Sequence, residues 1–138
     1  CNVPAKDFTT ILILHYLEHK LKGIPFLTAE WASFKELSGV EGYLPAFKKR
    51  ALEPIIRKYG AHPEALLEVL ERLPAKRVDH GDIGIVIEAF EGVSVMINLW
   101  RQDEEFEPEV NMLFDKSITR IFCTEDIVVL AGIIASAV

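Results

Sequence analysis

Apolar residues recur at helical spacing near the start of the chain. Ile13, Tyr16, Leu17 and Leu21 fall on one side of a helix predicted over residues 9–21. Gly23 follows Lys22 with Pro25 just beyond, which marks the stop. Residues 26–44 read as a loop with a short helical piece: Ser33 and Glu36 have capping-box spacing, and Ser38, Gly39 and Gly42 mark turns. Pro45 suits the first turn of a second helix, whose apolar stripe is Phe47, Ala51, Ile55 and Tyr59. Pro54 lies inside that stripe and removes the hydrogen bond to the carbonyl of Arg50, so a kink or break is expected there. Gly60 ends the element, and a third helix runs from Pro63 to about Leu73 with Leu66, Leu67, Leu70 and Leu73 inward.

The period then changes from helical to alternating. Ile83, Ile85, Ile87 and Ala89 form one set, and Val93, Val95, Ile97 and Leu99 the other. A two-residue turn at Glu91-Gly92 would pair Ile87 with Met96 and mix polar groups into both faces. A three-residue turn, Phe90-Glu91-Gly92, pairs Ile87 with Val95 and gives one wholly apolar face, with Gly92 at the left-handed position. The second register is favoured, because a one-residue slip would expose the whole buried set. The other face then carries Val86, Glu88, Ser94, Met96, Asn98 and Trp100, either half-solvated or lining a site. Residues 101–111 form an acidic loop, and 116–122 are a candidate short strand. Thr124 is placed to cap a last helix, with Glu125 and Asp126 in its first turn. This order of elements gives an α+β fold: about four helices and a small antiparallel sheet built on a central hairpin, with strands near 83–89 and 93–100.

Composition narrows the class. A length of 138 residues supports one domain, 1–138, with a core that needs no disulfide or metal. Half the residues are apolar and 26% charged, which describes a globular chain. A net charge of −6 argues against a nucleic-acid partner. Cys1 and Cys123 have no metal-ligand spacing and fit free thiols in a cytoplasm. A start at Cys1 rather than Met leads us to expect a segment upstream. The uncharged run Ile127–Val138 has 12 residues, short of the roughly 17–25 of a membrane span, and reads as a buried helix. No heptad or isolated apolar face forces a dimer, so the oligomeric state stays open.

Five features carry candidate chemistry. His15, Glu18 and His19 spell H-x-x-E-H, a pattern of one zinc peptidase class in which two histidines one turn apart share a metal. Three fixed positions recur by chance, and no third ligand is singled out, so an amphipathic helix with one semi-buried and one exposed histidine is preferred and no metal is assigned. The acidic run Asp103, Glu104, Glu105, Glu107 and Glu109, with Asp115, fails the calcium-loop test, because Pro108 stands where Gly is needed and Phe114 where Glu is needed. A partner-facing acidic loop is the better reading. Arg50 and Arg57 in a basic cluster are spaced to grip a phosphate or carboxylate, or else are solvated charges. Trp31, Phe34, Tyr43 and Phe47 make either a pocket wall or a small satellite core. Cys123 precedes a helix start, but nothing marks a partner base.

The ordered stretches "LHYL", "EWASFKEL", "FKKRALEPIIRKYG", "LWRQDEEFEP", "NMLFDKSI" and "TEDI" resemble the prokaryotic family known as domain of unknown function 3786. The likeness spans nearly the whole chain and is weakest around 75–95. It implies relatives in anaerobic bacteria and archaea, some with a cysteine-rich iron–sulfur segment; two scattered cysteines cannot build such a cluster, so none is carried over. It implies no reaction. It includes His15 but not Glu18 or His19, which makes the zinc pattern accidental, and it adds Glu30 to the polar positions of interest.

The resulting expectation is a soluble cytoplasmic binding or accessory domain in anaerobic metabolism, recognising a small ligand, cofactor or protein partner, with no nucleic acid and no membrane involved and no cofactor identified. Candidate ligand residues are His15, Glu30, Trp31, Phe34, Tyr43, Arg50 and Trp100. Candidate acidic-loop or partner residues are Asp103, Glu104, Glu105 and Asp115. One alternative is an enzyme with a carboxylate or metal site joining Glu30 to residues 103–105. Another is an interaction module docking through the acidic loop.

Overall fold

A computed structural model describes residues 5–23, 27–37 and 39–138. The expected stop at Ile24-Pro25, the turn residue Ser38 and the thiol of Cys1 lie outside these residues. Helix α1 (Ala5–Lys22) precedes a short strand β1 (Trp31–Ser33). Then come α2 (Leu44–Phe47), a π-turn (Lys48–Leu52), α3 (Glu53–Tyr59) and a 3-10 helix (Pro63–Glu71). Strands β2 (Ala75–Val78), β3 (Ile83–Phe90), β4 (Val93–Trp100) and β5 (Glu109–Asp115) follow, then a 3-10 turn (Lys116–Arg120) and α4 (Thr124–Ala137). All strands are antiparallel in one sheet, ordered β1-β5-β4-β3-β2. The architecture is α+β, as the order of periodicities implies.

The hairpin keeps the register that its apolar face demands: Ile83 opposite Leu99, Ile85 opposite Ile97, Ile87 opposite Val95. Its turn is tighter than expected. Phe90 pairs with Val93, a bulge between Glu88 and Phe90 absorbs the odd residue, and only Glu91 and Gly92 turn, with Gly92 at φ +82°. One sheet face carries Ala32, these hairpin residues, Val110, Met112 and Phe114 into a single core with the helices.

The kink expected at Pro54 is a π-turn. Phe47, Ala51, Ile55 and Tyr59 stay buried at spacings of four. An ordinary 3.6-residue turn would rotate that stripe off the core, and the wider turn ahead of Pro54 restores its phase. In the 3-10 helix, Pro63, Leu66 and Val69 are the buried residues, a period of three. Leu67, Leu70 and Leu73, expected inward at helical spacing, are only half-buried. The anticipated strand at 116–122 is instead a 3-10 turn, because the Asp115 carboxylate takes the Ser117 N–H and bends the chain. Cys123, not Thr124, is the N-cap of α4, and the Asp126 carboxylate accepts from the Cys123 backbone N–H.

Helix α1 corrects a larger expectation. Only Leu12 and Tyr16 of its described side chains are fully buried, while Ile13, Leu17 and Leu21 are exposed. Tyr16 stacks on Phe90 with ring centres 4.6 Å apart, and its hydroxyl donates to the Glu91 carbonyl at 2.8 Å. The helix sits about a quarter-turn from the phase that its sequence suggests, because apolar residues nearly encircle it.

Candidate ligand pocket on the helix-free sheet face

Side chains alternate across the sheet, so the strands that build the core also build a second face. That face carries Val86 and Glu88 from β3, Ser94, Met96, Asn98 and Trp100 from β4, Trp31 from β1, and Lys76 and Val78 from β2. Among the described residues no helix contributes to the hollow above it. An antiparallel sheet with one open face ordinarily turns polar residues outward. Here Met96 is only 2% exposed and Val86 8%. They floor a cavity of about 770 Å³ lined also by Leu27, Ala29 and Trp31 on one side and Pro74, Lys76, Val78 and His80 on the other. That volume lies within the usual range for small-ligand sites.

Two local devices raise the walls. On the β1 side, Asp115 is buried and accepts from Thr28 N (3.1 Å), Thr28 Oγ1 (2.9 Å), Ala29 N (2.9 Å) and Ser117 N (3.0 Å). Burial works against its charge, but the bonds from Ser117 and Thr28 win and hold its carboxyl below the ordinary carboxylate range. This grip holds Ala29 at φ 58°, a region that alanine rarely adopts. On the β2 side the chain folds back over Gly84, and the Asp82 N–H donates to the Leu99 carbonyl at 2.9 Å. Beneath this turn lies the carboxamide oxygen of Asn98, buried and without a hydrogen-bond donor among the described residues.

The rim is charged. Lys76 and His80 stand on the β2 side, with Glu88 beside them, and among the described residues neither Lys76 nor Glu88 is in an ion pair. Asp115 reaches the lining too, but its oxygens are occupied.

The structure divides the residues singled out from the sequence among several places. Trp31 lines the cavity, and Trp100 lies on the same face beside Gly81. Phe34 is on the core side, buried and stacked on Phe47 with ring centres 4.3 Å apart. Tyr43 and Arg50 are exposed on the helical layer. Glu30 pairs with Lys116 at 3.5 Å, at one end of β5. The acidic loop leaves the other end, where Trp100 pairs with Glu109. Seven residues of strand put roughly 20 Å between them, so Glu30 and Asp115 do not share a point with Asp103, Glu104 and Glu105. Asp103 instead turns its own loop, accepting from Glu105 N (2.8 Å) and Phe106 N (2.6 Å). Leu27, Lys76 and His80 were missed, because neither the short β2 nor the strained loop before β1 carries a periodic signal.

His15 belongs to a separate cleft. Its Nδ1 donates to both carboxylate oxygens of Asp126 at 2.9 and 2.8 Å, joining α1 to the start of α4. Asp126 Oδ2 also accepts from Cys123 N and Sγ, both at 3.3 Å. Burial, together with the adjacent carboxylate, pushes the Cys123 thiol up, away from a reactive thiolate. Glu18 is engaged by Lys22 at 2.9 Å. His19 lines the cleft and is half-buried rather than exposed as expected. Among the described residues no group of three or more His, Cys, Asp or Glu side chains is placed to hold a metal ion. Among those residues, too, no helix is long and apolar enough to cross a membrane.

These features define a two-layer α+β domain with one helix-free, apolar-floored sheet face. The family model described as Domain of unknown function (DUF3786) matches residues 3–137, and the chain belongs to that family. No curated protein and no solved structure matches it.

Proposed function

We propose that this domain is a small-molecule binding module and that the helix-free sheet face is its site. The ligand class is a compact molecule with a flat or branched apolar body and one anionic group. Its body would lie over Val86 and Met96 against Trp31, and its anion would meet Lys76 and His80 at the β2 rim. The burial of Met96 on a face without helices carries this reading, because that apolar floor is already screened and concave. A setting in anaerobic prokaryotic metabolism and a cytoplasmic location belong to the same proposal, as does the exclusion of nucleic acid by the net charge of −6.

The two methionines are built-in reporters: Met96 lies on the proposed floor and Met112 in the core behind it. Methyl NMR titrations with small aromatic and branched-chain carboxylates and phosphates should shift Met96 and leave Met112 in place. Ser94→Trp, which fills the floor, should abolish the response. Lys76→Ala should weaken binding about tenfold, the loss of one charge-assisted contact. A library that never moves Met96, or hits unaffected by Ser94→Trp, would refute the reading.

A further inference from the structure

The cavity on the helix-free sheet face has a charge pattern that a single anionic group leaves unbalanced. Its lining holds two carboxylates, Glu88 and Asp115, against one lysine, Lys76, with His80 on the same β2 rim as the lysine. The two acids share one row of the sheet. Glu88 lies directly opposite Ser94. Asp115 comes one step after Phe114, the partner of Val95, so the acids flank Ser94 from β3 and β5. All the donors to Asp115 are neutral groups, so its charge persists. Lys76 stands in the next row, opposite Val86. Glu88 is two residues on from Val86 and belongs to the same face, which makes it a diagonal neighbour of Lys76, roughly 7–8 Å away between main-chain positions. Among the described residues neither Lys76 nor Glu88 is in an ion pair.

We propose that the ligand is a zwitterion: an α-amino acid with an apolar side chain, its carboxylate on Lys76 and its ammonium on Glu88. The inference rests on the reading of this face as a ligand site and names what that site takes. The first argument is charge. A simple anion satisfies Lys76 but is left facing Glu88 and Asp115, and like charge beside a bound group costs affinity. An ammonium on the same ligand turns that repulsion into attraction. The second argument is spacing. An ammonium and a carboxylate carried on one carbon span the gap between diagonal neighbours, with a charge-assisted contact of about 2.8 Å at each end. Ser94, opposite Glu88, offers a hydroxyl oxygen that can accept a further ammonium hydrogen. The third argument is direction. Lys76 and Glu88 stand on β2 and β3, at one side of the sheet, and Trp31 stands on β1 at the other. A head held at the first side lays its side chain over Val86 and Met96 toward Trp31, along the apolar floor.

The test is a matched set of probes read at the Met96 methyl resonance of the full chain: phenylalanine, 3-phenylpropanoate, which lacks the ammonium, and 2-phenylethylamine, which lacks the carboxylate. Phenylalanine is expected to bind about tenfold more tightly than either. Glu88→Gln should erase its advantage over 3-phenylpropanoate, and Lys76→Ala its advantage over 2-phenylethylamine. Both side chains are exposed, so both variants should melt like the wild type. If 3-phenylpropanoate matches phenylalanine, or if the advantage survives Glu88→Gln, the zwitterion inference is overturned and the ligand site itself stands. No Met96 shift with any of the three also overturns it. The site reading falls with it only when the wider set of carboxylates and phosphates leaves Met96 unmoved as well.

Discussion

Replacing Asp115 with alanine is expected to cost the fold on the order of 3 kcal/mol, a drop in melting temperature of about 10 °C for a domain of this size. The carboxylate is 3% exposed and receives four hydrogen bonds from three residues. Alanine leaves the backbone N–H groups of Thr28, Ala29 and Ser117 without their acceptor, and loosens the hold on Ala29, whose strained conformation those bonds help maintain. Asp115→Asn should recover part of the loss, since its one carbonyl oxygen can still accept. The pH dependence follows from the direction of the shift. The folded carboxyl titrates below its ordinary value of 3.8. Its contribution is therefore complete above that value and is lost as pH falls through the lower folded value. Thermal melts should show a constant gap between wild type and Asp115→Asn from neutral pH down to roughly 5, narrowing below the free-carboxyl range. A gap that is small at neutral pH, or equally wide in acid, would show that Asp115 does not hold this loop. The alanine variant should also lose the Met96 response, because the Leu27–Ala29 wall depends on the same bonds.

That wall explains where sequence reading succeeded and where it failed. The hairpin was legible because two alternating runs must bury one set of side chains, and only one register does so. The stripe from Phe47 to Tyr59 was legible for a similar reason, and Pro54 marked where its geometry had to change. Strands β1 and β2 left no such trace. Trp31-Ala32-Ser33 and Ala75-Lys76-Arg77-Val78 are edge strands of three and four residues, held by backbone pairing to one neighbour. Edges this short carry no readable periodicity, and in β2 the solvated charges of Lys76 and Arg77 remove what is left of it. The 3-10 turn after β5 also depends on a tertiary fact, the carboxylate of Asp115 pointing back at its own chain.

Half of the candidate site could be read in advance. Hairpin register alone assigned Val86, Glu88, Ser94 and Met96 to one face. What the pattern could not supply was the height of the walls, which comes from loops at both edges of the sheet. The aromatic group of Trp31, Phe34, Tyr43 and Phe47 failed as a unit because β1 lies between its members. Trp31 projects to one sheet face, and three residues later Phe34 turns into the core. Helix α1 failed through excess of signal: with Ile11, Leu12, Ile13, Leu14, Tyr16 and Leu17 all apolar or aromatic, several phases satisfy the same spacing. The one actually adopted is set by Tyr16 stacking on Phe90 and by His15 reaching Asp126.

Gly84→Ala and Gly132→Ala are the same chemical change and are expected to act in opposite directions. At Gly84 an added Cβ would stand 2.5 Å from the His80 carbonyl oxygen, 3.0 Å from Asn98 Oδ1 and 3.1 Å from Val78 Cγ2. A backbone oxygen cannot rotate aside, so the turn across Asp79–Asp82 must lift from the sheet. The expected loss is about 2–3 kcal/mol, or roughly 8 °C in melting temperature. One effect works the other way: a lifted turn lets water reach the orphaned Asn98 oxygen, which returns part of that cost. Steric overlap with main chain is the larger of the two, so the net sign stays destabilising. At Gly132, inside α4, the nearest atoms to a new Cβ are Arg50 Cβ at 3.8 Å and Arg50 O at 3.9 Å, ordinary van der Waals contact. There the gain is helix propensity, about 1 kcal/mol of added stability. The pair also separates fold from site. Lifting the turn carries His80 away from the cavity rim, so Gly84→Ala should move the Met96 methyl resonance and weaken anionic ligands, while Met112 stays fixed. Gly132→Ala should raise the melting temperature and leave both methyl resonances unmoved. Equal melting temperatures for Gly84→Ala and wild type would mean that the turn is not seated against the sheet, and the β2 wall of the proposed pocket would go with it.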